Sequence, residues 1–182
     1  MDHLTNDDKN FLLSLARNAI RDKNHNENVE IPTVSALKRK QSAFVTIRHN
    51  GTLRGCVGRL ENDKRLYQLI PELAIRSAYD DWRFHSINRA ELDGMEIEIS
   101  LLSHFRTINT IDDILIGKHG ILLEKDNKNS VFLPKVAVEQ NWDVGTTLNN
   151  LAIKAGLDQQ DWKIDSIIQI FTAQIFSDKK CS

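Results

Sequence analysis

The sequence predicts an α+β fold, with mainly antiparallel sheet and flanking helices. Two hairpin signals and several segments of helical apolar spacing alternate along the chain, and they support this class. The chain has 182 residues, of which 41% are hydrophobic, so it is long and apolar enough to bury a core. We therefore expect one domain over residues 1–182, or two closely packed lobes, with only residues 1–4 and 178–182 as tails.

The first helix and the first hairpin have clear local signals. Apolar side chains recur on one stripe of residues 5–23, and Thr5 or Asn6 can cap the helix that this stripe predicts. Residues 43–49 and 52–60 are rich in residues that favour strands. The Asn-Gly pair between them is typical of a type I′ turn, so the two runs predict a hairpin.

The middle of the chain continues this alternation of strands and helices. Gly55 and Gly58 lie in the return strand of the hairpin, where glycines usually mark a bulge or a close backbone approach. Helical spacing resumes over residues 63–82, and Pro71 predicts a kink or an early break there. Residues 95–102 alternate apolar and polar side chains, which predicts a half-buried strand with its polar face toward solvent.

The second half of the chain predicts shorter elements. Gly156 is placed to end a helix, and an Asp before a helix, as at Asp143, is most often an N-cap. The predicted elements are a helical turn at 111–115, strands at 121–124 and 130–133, helices at 137–141 and 145–155, and one strand within 165–176.

Charge and cysteine usage exclude several classes of protein. Lys and Arg number 24 against 25 Asp and Glu, which argues against a nucleic-acid partner bound by bulk charge. No apolar run is long enough to cross a membrane, and the polar, acidic N-terminus does not resemble a signal peptide. Cys56 and Cys181 are interpreted as free thiols, which predicts a cytoplasmic protein. No cofactor-binding motif is present, so no cofactor is predicted.

Cys56 lies in a hairpin that concentrates unusual residues. Three of the eight glycines in the chain fall within Gly51–Gly58, around this cysteine. Arg54 and Arg59 flank it in sequence, and a nearby guanidinium stabilises a thiolate nucleophile. In a regular strand, however, only Arg54 shares the face of Cys56. The alternative interpretation, which physical chemistry alone favours, is a small buried hydrophobic residue in a tightly packed strand.

Four side chains outside the hairpin are further candidates. His119 lies between glycines, so it can approach a ligand closely, although a surface turn histidine is the simpler interpretation. Arg83 can hold an anionic group with two nitrogens, or it can form a salt bridge with a neighbouring aspartate. Glu139 and Trp142 offer a carboxylate and an indole close together in sequence.

Several stretches resemble one known family, the AMMECR-like domain family. Leu53–Gly58 reads Leu-Arg-Gly-Cys-Val-Gly and is similar to the family hexapeptide Leu-Arg-Gly-Cys-Ile-Gly. The resemblance covers residues 10–176 and includes the prokaryotic branch, system protein A of the AmmeMemoRadiSam gene set. The other matching stretches, in the family order, are Asp81–Phe84, Ile97–Leu101, His119–Gly120, Leu133–Ala137, Trp142–Asp143 and Lys154–Leu157.

The resemblance implies more than the residues do alone. It implies two unequal lobes packed around a cleft, with the cysteine hairpin in one lobe. It also implies a joint role with Memo-like and radical-SAM-type proteins, because genes of this branch often lie beside theirs. The family has no settled reaction, so no substrate is implied. Trp82, Arg59 and Lys135 depart from the family pattern, and the two added cations favour a small anionic ligand.

Three interpretations of function follow from these features. In the first, a cleft carries chemistry, with Cys56 as a nucleophile or ligand, Arg54 as its electrostatic partner and His119 as an acid or base. In the second, which we favour slightly, the chain is a partner module that completes a substrate site for an associated enzyme. Metal binding by Cys56 and His119 is the weakest, and no metal is predicted. The predicted ligand-binding residues are Arg54, Gly55, Gly58, Arg83, Glu139 and Trp142.

Overall fold

The α+β class is confirmed by a computed structural model, which describes residues 4–22 and 35–178. The predicted loop at residues 24–28, Pro32 and Cys181 lie outside the described residues. The described chain divides into two compact units. The first contains residues 4–22, 35–101 and 174–178, and the second contains residues 102–173.

The first unit packs two helices on one face of a four-stranded sheet. The elements are α1 (Asn6–Arg21), β1 (Ala43–His49), β2 (Thr52–Arg59), α2 (Leu66–Tyr79), β3 (Met95–Leu102) and β8 (Ala173–Ser177), with short 3₁₀ turns at Ser35–Lys38 and Arg89–Glu91. The sheet has the strand order β2-β1-β3-β8, so β2 is an edge strand. Strand β1 lies between β2 and β3 and is antiparallel to both.

The second unit has its own sheet and its own core. The elements are β4 (Arg106–Thr107), β5 (Gly120–Lys125), β6 (Lys128–Phe132), α3 (Pro134–Glu139), α4 (Val144–Lys154) and β7 (Ile167–Phe171), with 3₁₀ turns at Ile111–Asp113 and Asp161–Lys163. The strand order is β4-β7-β5-β6, and the core lies between β5, β7 and α4.

The helix ends follow the sequence signals. Thr5 caps α1, because its hydroxyl accepts from the Asp8 amide while the Asp8 carboxylate accepts from the Thr5 amide. Asp143 caps α4 by accepting from the Thr146 amide at 2.7 Å, as predicted. Gly156 has a φ of +73° and ends the same helix.

The first hairpin has the predicted turn and, in addition, a bulge. Asn50 and Gly51 have φ angles of 51° and 77°, which a type I′ turn requires. The pairing steps from Gly55 to Leu53 between two consecutive residues of β1. Arg54 is therefore the extra, unpaired residue, and the bulge interrupts the alternation that would place it on the face of Cys56.

In strand β3, the alternation of apolar and polar residues predicts the burial of the side chains only in part. Its apolar residues face the core, and Ile97 and Ile99 are fully buried. The polar face was expected to meet solvent, but Glu96 and Glu98 are only half-exposed, and Ser100 has no exposed surface at all.

Several predicted boundaries were wrong. Residues 165–176 form two strands, β7 and β8, which belong to different sheets. Helix α2 spans Leu66–Tyr79 rather than 63–82, and it continues through the buried Pro71 without a break. Leu4 and Asp178, the described residues of the two predicted tails, contact the rest of the first unit. Leu4 is 3% exposed, and the Asp178 carboxylate accepts from Arg17 at 2.5 Å.

Among residues 4–22 and 35–178, no helix combines the length and the apolar character that a membrane crossing needs.

Gly55 provides a direct test of the packing between β2 and α2. A Cβ atom at this position would lie 1.9 Å from the backbone oxygen of Ser77, so either strand or helix must move. We expect Gly55→Ala to lower the free energy of unfolding by about 3 kcal/mol or more, measured by urea denaturation. Gly145→Ala is the control, because its Cβ would have only an ordinary contact at 3.8 Å, with Asp143. Equal denaturation midpoints for the two variants would contradict the close approach.

Candidate functional site

An ion pair holds the free edge of β2 at Cys56. The Cys56 amide donates to Asp81 Oδ2 at 2.9 Å, and Arg83 Nη2 donates to the Cys56 carbonyl at 3.1 Å. Arg83 also holds the Asp81 carboxylate with two nitrogens, at 2.9 and 2.7 Å. Since β2 is an edge strand, this pair supplies the acceptor and the donor that a neighbouring strand would otherwise provide.

The environment keeps both members of this pair charged. Burial alone would raise the pKa of Asp81, but the hydrogen bonds from Arg83 and from the Cys56 amide outweigh burial and hold this pKa below its ordinary value. The pKa of Arg83 is raised, mainly by Asp81 and to a smaller extent by the charge that Cys56 can carry. Arg83 is therefore a cation that lies against the backbone carbonyl of Cys56.

Arg54, which the sequence analysis paired with Cys56, instead pairs with Glu91. Its Nε and Nη2 donate to the two Glu91 oxygens at 2.7 and 3.3 Å, and Nη2 also donates to the His85 carbonyl. The Arg54 bond, followed by a bond from the Asn88 amide, lowers the pKa of Glu91 to about 2. Arg54 lies in the bulge, from which its side chain reaches Glu91, and its predicted roles beside the thiol and in ligand binding stay predictions.

Cys56 is half-exposed as a residue. Thr46, directly opposite on β1, donates its hydroxyl to Cys56 Sγ at 3.3 Å, and Thr46 itself is 2% exposed. Cys56 thus combines a sulfur atom that is bonded to a buried hydroxyl with a backbone that is held by Asp81 and Arg83. This arrangement keeps the thiol fixed in position.

Gly55 and Gly58, which lie before and after Cys56 in β2, make room for other residues of the chain. Gly55 lies against the backbone of Ser77, and a Cβ atom at Gly58 would lie 2.3 Å from the Phe44 ring. The Ser77 hydroxyl accepts from the Val57 amide at 3.0 Å and donates to a carbonyl of β1 at 2.8 Å. The space at both glycines is therefore occupied by the chain, and their predicted ligand-binding role stays a prediction.

The turn after α2 also presents an indole beside this ion pair. Trp82 lies between Asp81 and Arg83, and it is 91% exposed. The turn is fixed, because the Phe84 amide donates to the Asp81 carbonyl and the Ile87 amide donates to the Ala78 carbonyl.

The remaining predicted site residues lie in the second unit. The ring Nδ1 of His119 accepts from the Leu115 amide at 3.2 Å, which leaves Nε2 to carry the proton of the neutral ring. Trp142 is half-buried, and its ring packs on Phe132 with centroids 5.8 Å apart. Glu139 is exposed at the end of α3. The catalytic role of His119 and the binding roles of Glu139 and Trp142 stay predictions.

No cluster of three or more His, Cys, Asp or Glu side chains in the described part of the chain has the arrangement of a metal site. Cys56 and His119 lie in different units.

Sequence reasoning missed three residues that organise this site. Asp81 was considered only as a salt-bridge partner of Arg83, and its bond to the Cys56 amide was not foreseen. Thr46 and Glu91 carried no signal of their own. The register of the hairpin could have identified Thr46. A two-residue turn at Asn50-Gly51 determines which residues of the two strands face each other, and Thr46 faces Cys56.

The Arg54–Glu91 pair makes a prediction about pH. Because the pKa of Glu91 is lowered from 4.5 to about 2, the folded chain favours its carboxylate. The stabilisation is fully present above about pH 5 and is lost as the pH falls toward 2. We expect Glu91→Gln to cost about 1 kcal/mol at pH 7 in urea denaturation, and the cost to shrink steadily below pH 4.

Glu61→Gln is the matched control for this measurement. Glu61 also pairs with an arginine, at 3.5 Å, but its side chain is 72% exposed, so we expect a change below about 0.5 kcal/mol. A Glu91→Gln cost that is the same at pH 7 and pH 3 would contradict the assignment.

Comparison with known proteins identifies the family of this chain. A protein of Methanococcoides burtonii is 32% identical over 173 residues, which cover 90% of this chain and 86% of that protein. A protein of Methanopyrus kandleri is 32% identical over 189 residues, which cover 97% and 91%. The crystal structure of an uncharacterized protein from Pyrococcus horikoshii superposes with a TM-score of 0.86 at 32% identity, and the match covers 93% of this chain and 90% of that one. The family described as AMMECR1 matches residues 13–176, and the chain therefore belongs to the AMMECR1 family.

Proposed function

We propose that this chain is a partner or substrate-handling module that acts with Memo-like and radical-SAM-type proteins. The proposal extends the family assignment to the AmmeMemoRadiSam branch, which the sequence resembles. In it, the two units form one domain that works in the cytoplasm, where a reducing environment keeps Cys56 as a thiol. The nearly balanced charge of the chain fits a protein partner or a small ligand better than a nucleic acid.

One observation carries the proposal: the charged groups nearest Cys56 are used to hold the structure. Asp81 accepts from the Cys56 amide and from Arg83, and its side chain is 4% exposed. Arg54 is engaged by Glu91. Within the described residues, the hydrogen bond of the thiol is to the Thr46 hydroxyl, which is a poor general base. A rigid display of the hairpin is therefore better supported than activation of a nucleophile.

Binding to purified partners tests this proposal. We expect the chain to form a complex with the Memo-like or the radical-SAM-type protein of its own organism, measured by calorimetry and sedimentation. Cys56→Ser is expected to weaken this complex at least tenfold, because the hairpin forms part of the contact, and to leave the thermal midpoint nearly unchanged. Cys181→Ser is the control and is expected to bind like the wild type. If the chain binds neither of the two proteins, the proposal is contradicted.

A second function is favoured by the position of Arg83 beside Cys56, where its Nη2 donates to the Cys56 carbonyl at 3.1 Å. A half-exposed cysteine close to a guanidinium has the setting of a nucleophile in a small-molecule enzyme. In this alternative, Cys56 is the nucleophile and its substrate is a small anion. Arg83 replaces Arg54 as the electrostatic partner of Cys56.

Alkylation of Cys56 separates these two functions. In a Cys181→Ser background, we expect Arg83→Gln to slow labelling by iodoacetamide about threefold at pH 7 if Arg83 stabilises the thiolate. Arg83→Lys, which keeps the charge, is expected to restore most of the rate, and Arg54→Gln is expected to have little effect. Faster labelling in Arg83→Gln would indicate that Arg83 only closes the strand edge, and it would contradict the nucleophile.

A further inference from the structure

We infer that Trp82 and Arg83 are the anchor by which the first unit docks on a protein partner, into an apolar pocket that is bordered by a carboxylate. This inference rests on the proposed function, because it assigns a contact surface to the module and a chemistry to the surface that receives it.

The exposure of Trp82 is the first observation. An indole that is 91% exposed leaves a large apolar surface in water, and burying such surface is favourable. The other large hydrophobic residue that is exposed in the described part of the first unit is Ile175, at only 39%. Trp82 is therefore exceptional within its unit. Trp and Arg are also the residues most enriched where binding energy concentrates at interfaces.

The rigidity of the turn is the second observation. Asp81, on one side of Trp82, is held by Arg83 and by the Cys56 amide, with its side chain 4% exposed. On the other side, the Ser86 hydroxyl donates to the Tyr79 carbonyl at 3.1 Å, and the Ile87 amide donates to the Ala78 carbonyl at 2.9 Å. A turn that is fixed before binding loses little conformational entropy on docking, so the backbone that carries the indole is pre-organised.

The charge of Arg83 indicates which group borders the pocket on the partner. Its Nε and Nη2 donate to Asp81, and Nη2 also donates to the Cys56 carbonyl. Within the described residues its Nη1 has no hydrogen-bond acceptor, and the side chain is 41% exposed. A carboxylate on the partner, next to the pocket that takes the indole, would accept a hydrogen bond from Nη1 of this guanidinium.

Other occupants fit less well. A lipid surface is usually bound through several apolar side chains and a cluster of cations, whereas this turn presents one indole with charges of both signs around it. A small ligand needs a concave site, and Trp82 is instead a protruding side chain. A protein pocket matches both the shape and the charge of the anchor.

The test compares variants of the turn in binding to the purified Memo-like and radical-SAM-type proteins. We expect Trp82→Ala to weaken the complex about 30-fold or more, and Trp82→Phe to recover part of the affinity. His85→Ala is the matched control, because this exposed residue lies in the same turn and uses its carbonyl to bind Arg54; it is expected to change affinity less than threefold. Because Trp82 is so exposed, all variants are expected to keep the wild-type thermal midpoint.

The outcomes distinguish this inference from the proposed function. If the wild type and Trp82→Ala bind a partner equally well, the anchor is overturned and the module function stands. If the wild type binds neither partner, the proposed function and the anchor both fall. Sedimentation of the chain alone and with vesicles of anionic lipid completes the test. Trp82-dependent self-association or vesicle binding, without binding to either protein, would assign the indole to a second copy or to a lipid surface and overturn the anchor.

Discussion

The carboxylate of Asp81 determines how the rest of the first unit is arranged. Strand β2 lies at the edge of its sheet, and its outward backbone groups at Cys56 need partners. Asp81 accepts the amide proton and positions Arg83 to donate to the carbonyl. The pair thus provides the backbone groups of Cys56 with the hydrogen-bond partners that a further strand would supply. Because its side chains cover this part of the strand edge, no further strand can pair with β2 there.

This constraint explains why the region looks reactive in sequence but is largely structural. A cysteine between arginines and glycines is typical of an activated nucleophile. In the fold, Gly55 admits the backbone of α2, Arg54 leaves the regular strand through a bulge to reach Glu91, and Asp81 is held under Arg83. Each feature that suggested chemistry has a packing reason. The half-exposed position of Cys56 is the feature that packing leaves unexplained.

Local rules predicted the elements well and the long-range partners poorly. The Asn50-Gly51 turn and the Asp143 cap depend on neighbours in sequence, and both were predicted. The division of residues 165–176 between two sheets was missed, because an apolar run rich in Ile and Phe favours strand on both sides of Thr172. The Arg54–Glu91 pair was missed for another reason: 37 residues separate its members, and the bulge that directs Arg54 has no reliable signal.

The Asp81–Arg83 ion pair also connects the proposed contact surface to Cys56. Trp82 lies between the two residues that hold Cys56, so the position of the indole and the position of the thiol depend on one ion pair. In the proposed complex, the partner's carboxylate pairs with Nη1 of Arg83, while Nε and Nη2 keep their bonds to Asp81 and to the Cys56 carbonyl. The inferred docking therefore leaves the ion pair at the edge of β2 intact, and the contact surface is added to a backbone that the fold already holds in place.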